Sequence, residues 1–152
     1  MDMDELKAIG EYDTTQYIVI NIGDEQYGID IKFVENIVRM QSITRVPSVQ
    51  EYFRGVINLR GEVVPVMSLR RKLGLEDDEI TNNTRIIIIK LEANAPIGVI
   101  VDEVKEVVTL ENSSVDSVAS SSKKEENSYI NGIGKTGGTL ISLLDLNMVI
   151  SE

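Results

Sequence analysis

The strongest constraint on this chain is that it carries one short pattern twice. Gly55-Val56 returns as Gly132-Ile133, an offset of 77 residues (132 − 55). The same offset takes Gly61 to Gly138, Val63-Val64 to Leu140-Ile141, Val66-Met67 to Leu143-Leu144, Ser68 to Asp145 and Leu69 to Leu146. Earlier in each half the offset is 70 (98 − 28): Gly28-Ile29 meets Gly98-Val99, and Val34 meets Val104. The seven-residue difference (77 − 70) fits an insertion in the serine-rich stretch between Asn112 and Ser128. Apolar strands also coincide by chance, but here two glycines, a helix-capping residue and the apolar positions between them hold one register. The reading is two copies of one small all-β unit, each marginal alone, which bury a common core when paired.

Local signals fill in that unit. Tyr17–Ile22 is β-branched and reads as a strand, Gly23–Gln26 as its turn, and Tyr27–Ile31 as the returning strand. Lys32–Val38 is ambiguous, because Phe33, Val34 and Ile37 also fit one helical face. Gln41–Val49 reads as a loop, and an apolar pattern resumes over Tyr52–Leu59. Glu62–Met67 is a strand whose Pro65 belongs at an edge or bulge, since proline cannot donate to a ladder. Ser68 caps a short helix over Leu69–Leu73 that ends at Gly74, and Asp145 caps a last turn through Ile150. Arg85–Leu91, Ile97–Val101 and Gly138–Leu144 are further strands, with Val104, Val107, Val108 and Leu110 continuing an apolar face. Asn112–Ser128 is expected to be a mobile surface loop, and residues 1–13 a flexible N-terminus.

Composition removes several functions. The 152 residues include no Cys and no His, so thiolate catalysis, disulfides, Cys/His zinc sites and Ser-His-Asp triads are impossible. A net charge of -10 opposes binding to a nucleic-acid backbone, and the short basic clusters Arg70-Arg71-Lys72 and Lys123-Lys124 read as solvated surface. The acidic start lacks the basic region of a signal peptide, and no apolar run reaches a membrane span, so a cytoplasmic protein without direct membrane insertion is expected. Gly132-Ile133-Gly134-Lys135-Thr136-Gly137 matches G-x-G-x-x-G, but a β-like segment follows where the dinucleotide fingerprint needs a helix. Glu76–Glu79 and Asp102-Glu103 lack calcium-loop spacing. No catalytic residue, metal site or cofactor is expected.

Gly55-Val56-Ile57-Asn58-Leu59-Arg60-Gly61 is the most informative segment. Gly137 stands at the equivalent of Arg60, and Lys135 at that of Asn58. A guanidinium kept in only one copy is what a recognition surface grafted onto a repeated scaffold would look like; a surface arginine without function is the plainer alternative.

The stretch from Gly55 to Val66, including G-V-I-N-L-R-G-E-V-V-P-V, closely resembles the signature of the CheW family, the coupling proteins of bacterial chemotaxis. So do Tyr27–Ile31, Val46-Pro47, Gly98–Val104 and Leu143–Leu146, and the resemblance runs from about Thr15 to Ile150. It implies an all-β fold of two SH3-like five-stranded β-barrels sharing a hydrophobic core, with short helical turns, over residues 14–150. It also implies a non-catalytic adaptor that couples transmembrane chemoreceptors to the histidine kinase CheA, and is recruited through them to membrane receptor arrays. By that resemblance the receptor's cytoplasmic hairpin tip docks between the barrels, against Arg60, Val34, Asn36 and Ile37. The regulatory domain of CheA, which has the same fold, packs on a barrel flank, with Gly55 placed beside that interface. One departure stands out: Val34-Glu35-Asn36-Ile37 has Asn36 where the family usually has Glu.

Overall fold

The structure, a computed structural model, describes residues 13–47, 49–92, 95–117 and 129–151. Its strands are β1 (Thr14–Ile22), β2 (Glu25–Asp30), β3 (Val34–Arg39), β4 (Phe53–Leu59), β5 (Glu62–Ser68), β6 (Arg85–Ile89), β7 (Ile97–Val101), β8 (Glu103–Glu111), β9 (Asp116–Ser117), β10 (Ile130–Thr136) and β11 (Thr139–Leu144). Two short helices, α1 (Leu69–Lys72) and α2 (Leu146–Ile150), follow β5 and β11. Both start as expected: the Ser68 side chain accepts from Arg71 N, and that of Asp145 from Met148 N. The segment left ambiguous by its pattern resolves into a 3-10 turn at Ile31–Phe33 and then β3. The expected flexible N-terminus lies, but for Asp13, outside the described residues, as does most of the expected serine-rich loop. The opening of that loop is ordered, with a 3-10 turn at Asn112–Ser114 and β9 after it.

The strands form a six-stranded sheet, β8-β1-β2-β11-β10-β9, and a five-stranded sheet, β3-β6-β7-β5-β4. Neither sheet is made from one copy of the repeat. The first copy sends β1-β2 to the six-stranded sheet and β3-β4-β5 to the other. The second copy does the reverse with β6-β7 and β8 to β11. The crossings between the sheets are short: only Ile31–Phe33 separates β2 from β3, and only Asp102 separates β7 from β8. Each exchanged hairpin docks by a parallel ladder, Leu143 opposite Gly28 and Val66 opposite Gly98, which are the same pair under the two offsets. A Cβ at Gly28 would stand 2.8 Å from Leu143 Cδ2, and one at Gly98 2.8 Å from Ile86 Cγ2. A side chain at either position would have to push a packed methyl group aside, which favours glycine at both.

Period-2 alternation feeds three cores. On β6, Ile87 and Ile89 join the cluster between the sheets, whereas Ile86 and Ile88 point into the five-stranded barrel. On β1, Ile18, Ile20 and Ile22 face the shared cluster and Val19 the six-stranded barrel. Strands buried on both faces explain the continuous runs such as Ile86–Ile89. Pro65 sits where the ladder with β7 has not yet begun, since that ladder starts at Val66, so β5 is still an edge on that side.

Asp102, the single residue of the second crossing, is tied three ways. Its carboxylate accepts from Arg70 Nε (2.9 Å), Arg70 Nη2 (2.6 Å) and Gly23 N (2.8 Å), joining α1, the β1–β2 turn and the β7–β8 corner. The Arg70 guanidinium, helped by the Gly23 amide, holds the Asp102 carboxyl below the usual range against the opposing pull of its partial burial. A depressed folded pKa gives stability that is present above the unfolded value, about 3.9, and is lost as pH falls through the folded value. Asp102→Asn should therefore cost about 2 kcal/mol at neutral pH and less at low pH. Urea unfolding of both proteins at neutral pH and near pH 2 checks this.

Candidate functional site

The β4–β5 connection is a two-residue hairpin turn. Arg60 (φ 55) and Gly61 (φ 86) both have positive φ, the type I′ geometry that matches strand twist. The β10–β11 turn repeats it with Gly137 (φ 56) and Gly138 (φ 83). Arg60 is the one non-glycine with positive φ among the described residues. A side chain there costs about 1 kcal/mol that glycine avoids. Asn58 offsets part of this by accepting from Gly61 N at 3.0 Å, which Lys135, a donor only, cannot do at the equivalent position. The asymmetry at Asn58 thus has a local structural cause. Arg60 itself is exposed and gains no hydrogen bond or ion pair among the described residues. Next to it Val63 is 68 % exposed, so the tip offers a cation beside methyl groups. Arg60→Gly should raise stability by about 1 kcal/mol, read by urea or thermal unfolding.

Edge strand β3 carries the other expected residues, and the structure divides them. A bulge at Glu35 leaves Val34 opposite Ile89 and Asn36 opposite Ile88. Val34 therefore packs on the shared cluster beside Ile89. Ile37, opposite Ile87, lies on that same face but at the open edge, 37 % exposed. Asn36 faces the other side of the sheet, with Ile88, and its Oδ1 accepts from Ile37 N at 2.8 Å. Val34 and Ile37 thus line the seam between the barrels, and Asn36 does not share their face. A two-for-one bulge leaves no mark in a run such as Val-Glu-Asn-Ile, which is why the sequence could not separate them. Arg60 stands on a different element. The chain leaving β3 closes the barrel onto β4 through the Thr44–Val56 bridge, and Leu59 packs on the same interior cluster as Val38 and Met40. The hairpin tip therefore lies alongside the chain that follows β3.

Gly55 is buried, with φ 142, under that bridge. A Cβ there would stand 2.1 Å from Thr44 O, the oxygen that accepts from Val56 N at 2.8 Å. It acts by having no side chain and holds the loop that Thr44 begins. The G-x-G-x-x-G match lies in β10 and its turn into β11, a strand-turn-strand setting. Among the described residues no group of three or more acidic side chains could hold a metal ion, and no helix is long and apolar enough to cross a membrane.

Comparison with known proteins agrees with this fold. A family model described as CheW-like domain matches residues 16–152. The chain is 39% identical over 135 residues to the chemotaxis protein CheW of Bacillus subtilis (strain 168), covering 89% of this chain and 86% of that one. It is 28% identical over 146 residues to the chemotaxis protein CheW of Klebsiella aerogenes, covering 96% and 87%. It superposes on a crystal structure of the scaffolding protein TtCheW from Thermoanaerobacter tengcongensis with TM-score 0.81 and 30% identity, over 91% of this chain and 88% of that one.

Proposed function

The chain belongs to the CheW-like domain family and is a chemotaxis adaptor; we propose that, without catalysing a reaction, it couples transmembrane chemoreceptors to the histidine kinase CheA. The observation that carries this reading is Arg60. Two hairpins of the same geometry occur in the fold, and only one keeps an exposed guanidinium at a backbone position that penalises it. Strain of this kind persists where it serves a contact. The receptor's helical hairpin tip then meets the Val34–Ile37 seam with apolar side chains and Arg60 with carbonyls or acids. Asn36 contributes through the backbone of β3, by holding Ile37 N. The kinase's regulatory domain takes the flank of the five-stranded barrel, whose loop Gly55 keeps in place.

Asp77 and Asp102 are both held below the usual carboxylate range by an arginine hydrogen bond, and both serve ion pairs within the fold. On this reading residues 14–150 work as one unit in the cytoplasm and reach the membrane through their partners. The test is reconstitution of the kinase with receptor-bearing vesicles. Adding this chain should place kinase autophosphorylation under receptor control; a kinase rate indifferent to the chain would refute the coupling role.

A further inference from the structure

The basic cluster Arg70-Arg71-Lys72, which reads in the sequence as solvated surface, is engaged within the fold. Arg70 holds Asp102, and Arg71 grips Asp77 with Nε (2.8 Å) and Nη2 (2.9 Å). Lys72 reaches across both barrels. Its Nζ stands 3.9 Å from the centroid of the Tyr52 ring and 5.8 Å from that of Tyr129, and donates to Ser151 O. The two tyrosines are repeat mates (129 − 52 = 77). Each precedes the last hairpin of its copy: Tyr52 O accepts from Ser68 N at 2.7 Å, and Tyr129 O from Asp145 N at 2.8 Å. Tyr52 leads into β4 of the five-stranded sheet, Tyr129 into β10 of the six-stranded one, and both pack on the shared cluster. One ammonium thus sits between equivalent points of the two barrels. Under the same offset Arg70, Arg71 and Lys72 become Asn147, Met148 and Val149, so α2 has no cation to return. Ser68, which starts α1, stands opposite Ile100 on β7. Val34 stands opposite Ile89, which pairs with Ile97 at the other end of β7. Lys72 and the seam therefore lie toward opposite ends of that strand.

We propose that Lys72 is a positioning residue: its ammonium clasps the two barrels at one end of the shared cluster, fixes their relative orientation, and so sets the geometry of the Val34–Ile37 seam at the other. Apolar contact alone is non-directional. An ammonium held by a carbonyl and by ring faces on both sides prefers one arrangement of all three. A core packed as densely as an organic crystal transmits a change at one margin to the other instead of absorbing it. The effect on receptor docking rests on the coupling reading; the orientation of the barrels does not.

The experiment compares the full chain with its Lys72→Met, Lys72→Arg, Tyr129→Leu and Arg60→Glu variants. Residual dipolar couplings, fitted separately for the strands of each sheet, give the angle between the barrels. Titration with a fragment spanning a chemoreceptor's cytoplasmic hairpin tip gives the affinity. Lys72→Met keeps the apolar stem and removes the ammonium. Its inter-barrel angle should shift beyond any change seen in Arg60→Glu, and fragment affinity should fall about tenfold. Lys72→Arg keeps a cation that stacks on aromatic rings and should restore both. Tyr129→Leu should shift the angle in the same sense as Lys72→Met. A parent-like angle in folded Lys72→Met and Tyr129→Leu would overturn the proposal whatever the receptor result. A shifted angle with parent-like fragment affinity would overturn the link to the seam. A shifted angle beside a parent chain that binds no fragment would support the clasp and count against the receptor reading instead.

Discussion

Gly55→Ala should destabilise the chain by about 3 kcal/mol or more, the largest effect expected of any single methyl group here. Two costs add. The backbone at φ 142 is one that L side chains rarely adopt, and the new Cβ would lie 2.1 Å from the Thr44 carbonyl oxygen. That oxygen cannot swing away freely, because it accepts from Val56 N in the bridge that closes the five-stranded barrel. Relief must come from opening the bridge, which loosens the loop after β3 and the flank it builds. Gly61→Ala is the control: its φ is 86 but nothing lies within 4 Å, so it should cost only about 1 kcal/mol. Urea unfolding of the two variants separates the effects. Equal losses would show that Thr44 yields easily and that Gly55 matters for its backbone angle alone.

Arg60→Glu should abolish most receptor binding, weakening it by tenfold or more, while leaving folding stability close to that of the parent. Glutamate at φ 55 carries the same backbone penalty as arginine, so strain does not change; only the charge presented at the hairpin tip reverses. Arg60→Gly makes the complementary case, losing the cation while gaining stability. Receptor-fragment binding measured beside thermal unfolding would show binding and stability moving in opposite directions for Arg60→Gly. Receptor affinity unchanged in both folded variants would remove Arg60 from the interface.

How much of this was legible beforehand depends on the range of each signal. The caps at Ser68 and Asp145 stand as read, and most strands are found to within a few residues, whereas the turn read as Gly23–Gln26 gives up Glu25 and Gln26 to β2, and β10 is not read as a strand. The repeat forecast the matched hairpins and the shared cluster between the sheets. It did not reveal the exchange of hairpins between copies. Similarity says which segments are alike, not which partner each takes; the exchanged contacts lie where Gly28 meets Leu143 and Gly98 meets Val66, across the two copies. The six-stranded sheet exceeds the expected five through β9, two residues within a stretch that reads as loop. The Arg70–Asp102 pair and the Arg54–Asp78 pair bind residues 32 and 24 apart, and nothing in the local sequence marks which acid each arginine takes. On the site, Arg60 was visible because its mate is glycine, while the separation of Asn36 from Val34 and Ile37 hangs on one bulged residue, Glu35.

The central claim is that one small scaffold holds kinase and receptor on separate surfaces. Its most direct test is calorimetric titration of this chain, and of its Arg60→Glu variant, into the isolated regulatory domain of CheA from the same organism. The account predicts saturable one-to-one binding in the micromolar range or tighter, with the same affinity for both proteins. No detectable binding between folded partners would contradict it.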